Sequence, residues 1–499
     1  MPNVLGLNEA PLNTSVKAKA INNVLLLNPG GPGIMMRGLM RERPTQYGFC
    51  WPSIDLVLTS GLLNEKGFHL SYIDASLDKL SALDVSEKIK RENVQAIVAL
   101  YSHFYHENDI QFLRTIKEQN PSLKIIILPN LQHVLKPEKA PRFLKEQEFL
   151  DAIVLSLTNN DLNKYLKADF SSPLVNMCYK LDGQIIVGRK EGDGKNGYVL
   201  PVPRHDLFKN KKYFLPQSRS LYVTTTCMQF GCPYQCDFCI DKDVYAKSFC
   251  RAPENMLAEF EYIAAQGIRE VYLRDLTFGL SREHALKFCH LLAERKLPLR
   301  WVCTTRVDTV DEELLTAMKK AGCMAIEFGI ESGIDKTKDI HKKGTKNEQA
   351  KKTFSICQRL GIETVMFVIL GFPEENLEDI NRSIQFVFDL KGDFLALNLA
   401  NLLPETSFEA KNLEYKSDKE KGDYLDSYSF DKQNFAHPTI GEEEMRGIFR
   451  KTLRDFYLRP TYIIKRLLKM RSWPALWRVM HIGFNVIRVS LIQPPKKTT

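Results

Sequence analysis

Residues 220 to 240 read "SLYVTTTCMQFGCPYQCDFCI". The β-branched and aromatic run up to Thr226 is a short strand, and three cysteines, Cys232, Cys236 and Cys239, follow it within eight positions. The strand is the first of six. "REVYLRD", "LRWVCTT", "CMAIEFGIES", "ETVMFVILGFP" and "FLALNLANLLP" repeat it, separated by helical stretches such as "ENMLAEFEYIAAQG" and "SREHALKFCHLLAERK". Six strand–helix units in about 185 residues predict a partial barrel over residues 220–405, with its chemistry at the carboxyl ends of the strands. The cysteine stretch is then a loop over the barrel mouth.

Thiolates bind soft metals. A 4Fe-4S cluster has four irons, so three cysteines leave one iron open to a substrate or cofactor. The alternative is a zinc site completed by Cys227, Cys250 or a histidine, because structural zinc takes four protein ligands. Cys227 stands five positions before Cys232, outside the usual short zinc spacings. With no secretory leader in view, the eleven cysteines are expected in a reducing cytoplasm, where clustered thiols bind metal more often than they pair.

"CPYQCDFC", with its C-x3-C-x2-C spacing and an aromatic before the last cysteine, resembles the radical S-adenosylmethionine (SAM) superfamily. "LRDLTF", "RWVCTTRVDTVDEELLTAMKKAGCMAIEFGIESG" and "GIETVMFVILGFPEE" extend the likeness through the barrel. The resemblance implies that Cys232, Cys236 and Cys239 ligate a 4Fe-4S cluster whose open iron holds SAM. An electron from the cluster then splits SAM into methionine and a 5'-deoxyadenosyl radical, and an external one-electron reductant such as flavodoxin or ferredoxin is implied as a partner. Phe238 would line the adenine side, Asp275, Arg306 and Glu331 would face the cofactor, and Ile369 would pack near the adenine. Against the family pattern, "CMQF" stands between the strand and "GCPYQC", which makes Cys227 a small core residue or a neighbour of the cluster.

Upstream, "NVLLLNPG", "FHLSYIDAS", "VQAIVALYS", "LKIIILPN" and "FLDAIVLSL" read as strands alternating with helices. That alternation predicts a doubly wound parallel sheet over residues 1–155, a Rossmann-like domain whose strand ends carry Asn28, Asp74, Ser102 and Asn130. The order resembles the cobalamin-binding domain fused to one branch of radical SAM enzymes, and implies cobalamin over the ends at Asn28, Asp74 and Ser102. No D-x-H-x-x-G motif is present to supply a histidine to cobalt, as is usual for that branch. Residues 156–219 read as a connection with a hairpin in "NMCYKLDGQIIVG", and residues 406–499 as a helical cap broken at Pro460.

Of the 499 residues, 44% are hydrophobic and 26% charged, a globular composition without an apolar run long enough to span a bilayer. The net charge of +9 is concentrated: from Met445 onward there are 13 Lys and Arg against the single acid Asp455. An even basic coat would suggest nucleic acid, which this pattern does not. The tail reads either as a lid on the barrel with solvated cations, or as a segment lying peripherally on anionic lipid. The expected function is radical SAM chemistry on a small-molecule or lipid substrate, through cobalamin-dependent methyl transfer to an unactivated carbon. Radical cyclisation of the tetrapyrrole-cyclase kind and a non-catalytic iron–sulfur protein are the alternatives. Methylthio transfer fits less well: it uses three further cysteines in the amino-terminal domain, and only Cys50 and Cys178 precede Cys227.

Overall fold

The computed structural model describes residues 21–38, 43–44, 49–102, 105–129, 139–156, 160–188, 195–241, 247–416, 431–469, 480 and 483–484. Asn130 and most of the tail beyond Lys469 lie outside these residues.

The first sheet holds β1 (Asn23–Asn28), β2 (His69–Asp74), β3 (Ala96–Tyr101), β4 (Lys124–Pro129) and β5 (Ala152–Val154), parallel and in the order β2-β1-β3-β4-β5. Leu25, Ile97 and Ile125 face one apolar cluster and Leu26, Val98 and Ile126 the other, so both faces are covered, as a parallel sheet requires. The hairpin β6 (Met177–Leu181) and β7 (Gln184–Val187) adds two antiparallel strands beyond β5. Sequence reading places this hairpin in the connection. It joins the sheet because its period of two sends Cys178 into one core and Met177 and Tyr179 into the other.

Helix Ile54–Glu65 is buried almost all round because it is shared. Leu56, Val57 and Leu63 pack on the sheet, while Ile54, Leu58 and Leu62 pack on Cys227, Phe230 and Phe249 of the second domain. Its Gly61 is required by that fit, since a Cβ there would stand 2.5 Å from the Pro201 carbonyl oxygen.

The second sheet is the six-stranded partial barrel: β8 (Val223–Thr226), β9 (Glu270–Leu273), β10 (Arg300–Thr305), β11 (Cys323–Glu331), β12 (Glu363–Leu370) and β13 (Phe394–Leu399), all parallel and in consecutive order. Its large core lies between strands and outer helices and includes Phe260, Phe288, Trp301 and Phe354. The lumen is filled by Leu215, Tyr272, Val302, Met324 and Ala325, with Trp51 of the amino-terminal region packed against them.

Two helices follow, Glu442–Tyr457 and Pro460–Lys469, separated at the expected proline. The second lies away from the mouth, while the first runs along the barrel edge with Met445 against Gly371. Tyr457 donates its hydroxyl to the Leu395 carbonyl (2.7 Å) and accepts from the Leu395 N–H (3.0 Å), closing backbone groups on edge strand β13. Arg466 donates to Glu363 (3.0 Å) and lies 3.8 Å from the Phe394 ring centroid, at the amino ends of β12 and β13 and so opposite the cysteines. The lid expectation fails for this helix because its inward arginine finds carboxylate at the barrel base.

Candidate metal-cluster site

The cysteine loop is an excursion tied at its neck. Gln229 and Phe230 pair antiparallel with Cys250 and Phe249, and Met228 donates its N–H to Asp275 (2.7 Å). Arg251 reaches from the returning strand to Thr226 Oγ1 (3.3 Å) and the Cys227 carbonyl (3.2 Å), and pairs with Glu259 at 2.6 Å. His205 is hydrogen-bonded to Glu259 (3.0 Å) and to Thr224 (2.7 Å). Burial pushes the Glu259 carboxyl up, but Arg251 and His205 outweigh it and hold it at about 2. Asp275, expected to face the cofactor, is buried under the neck. Burial raises it to about 6. The Cys227 thiol donates to the Gln229 carbonyl (3.1 Å) and Cys250 to Asn196 (3.5 Å), so both serve the neck.

At the tip, Cys236 is buried and Cys232 and Cys239 half-buried, with the Cys239 N–H closing a turn onto the Cys236 carbonyl (3.2 Å). Cys232 Sγ lies 3.6 Å from Thr277 Oγ1. Burial pushes the Cys236 thiol up while Lys343 and Arg306 pull it down, and burial, followed by the nearby Asp241 carboxylate, raises Cys239. Three cysteine sulfurs on one loop, beside the cations Lys343 and Arg306, are a donor set that a cluster of several irons would suit. Among the described residues no three His, Cys, Asp or Glu side chains converge on a single-ion site.

Glu331 ends β11 with φ of 62°, in the left-handed region, and pairs with buried Lys343 at 2.9 Å. A Cβ on Gly329 would overlap both the Glu331 carboxylate and the Lys343 ammonium, which explains the glycine of "FGIES". Burial works to lower Lys343, but Glu331 and the Cys236 sulfur outweigh it and keep it cationic. Arg306 forks onto Asp308 (2.9 and 2.7 Å), donates to the Lys343 carbonyl (2.7 Å) and lies 3.5 Å from the Tyr234 ring centroid. Its Nη1 is buried without a partner, an orphan donor beside the cysteines that suits an anionic group of a ligand. Phe238 and Ile369 pack against the same apolar cluster of Phe372, Leu402, Phe408 and Phe435. The structure therefore gathers Phe238, Arg306, Glu331 and Ile369 around the loop and leaves Asp275 beneath it.

Sequence reading missed Lys343 and the side chains that fix Asp237, the residue between Cys236 and Phe238. His341 is hydrogen-bonded to Asp237 (2.8 Å) and Glu374 (2.8 Å) and stacks on Phe372, while Lys411 pairs with Asp237 at 3.0 Å. Burial lowers the imidazole pKa, but the two carboxylates raise it to about 9. The charged "HKKG" after "FGIES" was the only local signal. A second missed group is in the lumen, where Glu327 accepts from Tyr272 (2.6 Å) and Thr304 (3.1 Å) and Arg274 donates to the Tyr272 hydroxyl (2.8 Å).

Asn28, Asp74 and Ser102 share one buried network. Asn28 donates to Asp74 (2.9 Å) and accepts from Arg37 (2.9 Å), Tyr213 donates to Asp74 (2.5 Å), and Asp109 joins Arg37 to the Ser102 N–H. Their side chains hold loops to one another. Beside them a crevice of about 720 Å³ opens between Gly30–Gly33, Ser76–Ala82 and the helix face at Asn108–Thr115. It lies where the order of β1 and β3 reverses direction, the ligand position of a doubly wound sheet.

Residues 226–387 match the model of the Radical SAM superfamily. The barrel of this enzyme is a radical SAM domain. Its cofactors are accordingly SAM and a 4Fe-4S cluster. It is 24% identical over 435 residues to an uncharacterized methyltransferase of Pyrococcus horikoshii, covering 85% of this chain and 91% of that one. It is also 24% identical to the anaerobic magnesium-protoporphyrin IX monomethyl ester cyclase of Rubrivivax gelatinosus, covering 79% and 71%. In fold, the radical SAM methyltransferase TsrM of Kitasatospora setae, solved with cobalamin and a [4Fe-4S] cluster, superposes with a TM-score of 0.63 at 14% identity over 93% of this chain and 99% of that one. The chain thus shares the overall fold of that protein, from the Rossmann-like sheet through the barrel.

Proposed function

We propose that this radical SAM enzyme transfers a methyl group to an unactivated carbon of a small molecule, using cobalamin carried by the amino-terminal domain. The observation that carries the reading is that loops at the carboxyl ends of the first sheet reach the barrel, one entering its lumen and one pairing beyond its last strand. Trp51, from the loops after β1, packs edge-on against Tyr272 with centroids 5.2 Å apart, and Lys139, after β4, pairs with Glu405 beyond β13. The Lys139–Glu405 pair supports a ligand at the first sheet's strand ends adjoining the barrel mouth.

In this reading Cys232, Cys236 and Cys239 hold the cluster, Arg306 meets the carboxylate of SAM through Nη1, Glu331 with Lys343 lies at its polar end, and Phe238 and Ile369 cover its adenine. When bound, the cluster passes on an electron taken from an external reductant, and cobalamin carries the methyl group. The switch-point crevice fits part of so large a ligand, and the network through Arg37 and Asp109 fixes its walls. Asn28, Asp74 and Ser102 act from beneath it, through the loops they hold.

Anaerobic titration of the reconstituted protein with hydroxocobalamin tests this directly. Retention of about one corrinoid per chain after desalting, with a base-off spectrum, is expected. A protein that keeps its cluster and retains no corrinoid is not a cobalamin methyltransferase. The similarity to the cyclase favours radical ring formation as the second reading. A product heavier than its substrate by one methylene decides for methyl transfer.

A further inference from the structure

Arg274, the residue after β9, is a buried cation with one edge of its guanidinium unused. Val271 and Leu273 face the outer core and Tyr272 the lumen, so the period of two turns Arg274 inward as well. It is 5% exposed, and its guanidinium lies 4.8 Å from the Tyr272 ring centroid and 5.3 Å from that of Trp51. Nη1 donates to the Tyr272 hydroxyl (2.8 Å), whereas Nε and Nη2 have no hydrogen-bond partner, and no carboxylate forms an ion pair with them, among the described residues. Glu327, which shares Tyr272 with it, is occupied by neutral donors: Tyr272 (2.6 Å), Thr304 (3.1 Å) and Gln217 (3.4 Å). Burial works against the charge of Arg274, but Tyr272, Glu327 and Asp241 outweigh it and keep the group cationic.

From this geometry we infer that Arg274 anchors the substrate in the barrel lumen, and that the substrate carries a carboxylate. The inference rests on the reaction proposed above and adds to it the chemical class of the molecule acted on. Nε and Nη2 share one edge of the planar guanidinium, the edge that holds a carboxylate through two parallel hydrogen bonds. Trp51 and Tyr272 fix the plane of the guanidinium, so the edge is set before a ligand arrives. One guanidinium, already offset at longer range by Glu327 and Asp241, suits a singly charged anion better than a phosphate dianion. The position favours the substrate over SAM. Trp51 comes from the amino-terminal domain, whereas the groups assigned to SAM, Arg306 with Glu331 and Lys343, stand at and beyond the ends of β10 and β11, and the spare donor of Arg306 already meets its carboxylate in that reading.

Benzoate and its uncharged isostere benzamide are the probes, titrated by calorimetry into the full-length protein reconstituted with its cluster and saturated with SAM, without reductant. Benzoate is expected to bind about tenfold or more tightly than benzamide. Arg274→Gln should abolish that preference, and Arg274→Lys, which keeps the charge and loses the edge, should cut it by about fivefold. Iron content and SAM affinity should stay at the parent's values in both, and the lysine variant decides if the glutamine variant does not fold. Benzoate bound no better than benzamide by the parent, or a preference that Arg274→Lys leaves unchanged, overturns the inference. So does a fall in SAM affinity in the variants, which assigns the edge to SAM. Retention of hydroxocobalamin by the parent is a separate measurement, so failure of the methyl-transfer reading and failure of this one are told apart.

Discussion

Arg306 shows how much of this site depends on one residue's surroundings. Its neighbours use Nε and Nη2, and Nη1 is left buried and unpaired, a state that costs stability until a ligand accepts from it. Arg306→Lys removes the fork and the spare donor together. SAM binding measured by calorimetry on the reconstituted protein should weaken by about 1.5–3 kcal/mol, the value of a hydrogen bond to a charged group. Unchanged affinity would show that Nη1 serves the fold alone. At the cysteines, the three proposed ligands differ from Cys227, whose thiol bonds within its own neck strand. Cys232→Ala, Cys236→Ala or Cys239→Ala should each lose the cluster by iron and sulfide analysis, whereas Cys227→Ala, deleting a thiol bonded to its own strand, should keep it. Full iron content in Cys232→Ala contradicts the assignment.

At the scale of elements, the cluster loop depends on its neck, and the neck depends on Glu259. Its folded pKa, about 2, is below the ordinary carboxylate value of 4.5, so the stability it contributes is present above about pH 4.5 and is lost as pH falls towards 2. Glu259→Gln should be less stable than the parent near neutrality, with the difference shrinking as the pH is lowered through that window. Denaturant unfolding of the apoprotein at pH 7 and pH 4 measures it, and a difference that does not shrink would place the carboxylate outside the Arg251 and His205 network. His341 has the opposite sign. With a folded pKa of about 9 it is cationic at neutrality, and its contribution, full below about pH 6.5, declines as pH rises through 9. His341→Gln should therefore flatten the alkaline limb of the stability profile.

Across the whole molecule, the carboxy-terminal helices behave as parts of the barrel. Ending the chain at Leu458 removes Arg466 and leaves Glu363 buried with one cation fewer, a loss on the order of 3 kcal/mol or more. Ending it at Lys469 keeps that pair. The shorter chain should therefore melt at a clearly lower temperature than the longer one, with cluster assembly impaired along with the barrel. Equal midpoints would return this helix to the role of a dispensable lid. The sequence by itself determined the elements and offered the candidate ligands: the strand runs have period two or are continuously apolar, the helices lie between them, and three cysteines within eight residues of one loop are close together in any fold. Those are local properties, set by spacing along the backbone. Tertiary structure alone decided that Lys343 pairs with Glu331, that His341 and Lys411 grip Asp237, that Asp275 is beneath the neck, that the 177–187 hairpin completes the first sheet, and that Arg466 faces inward. Each joins charged or polar groups distant in the chain, and composition carries no trace of which partner a buried charge will find, because that choice is made by the cost of leaving it unpaired once the strands and helices have closed around it.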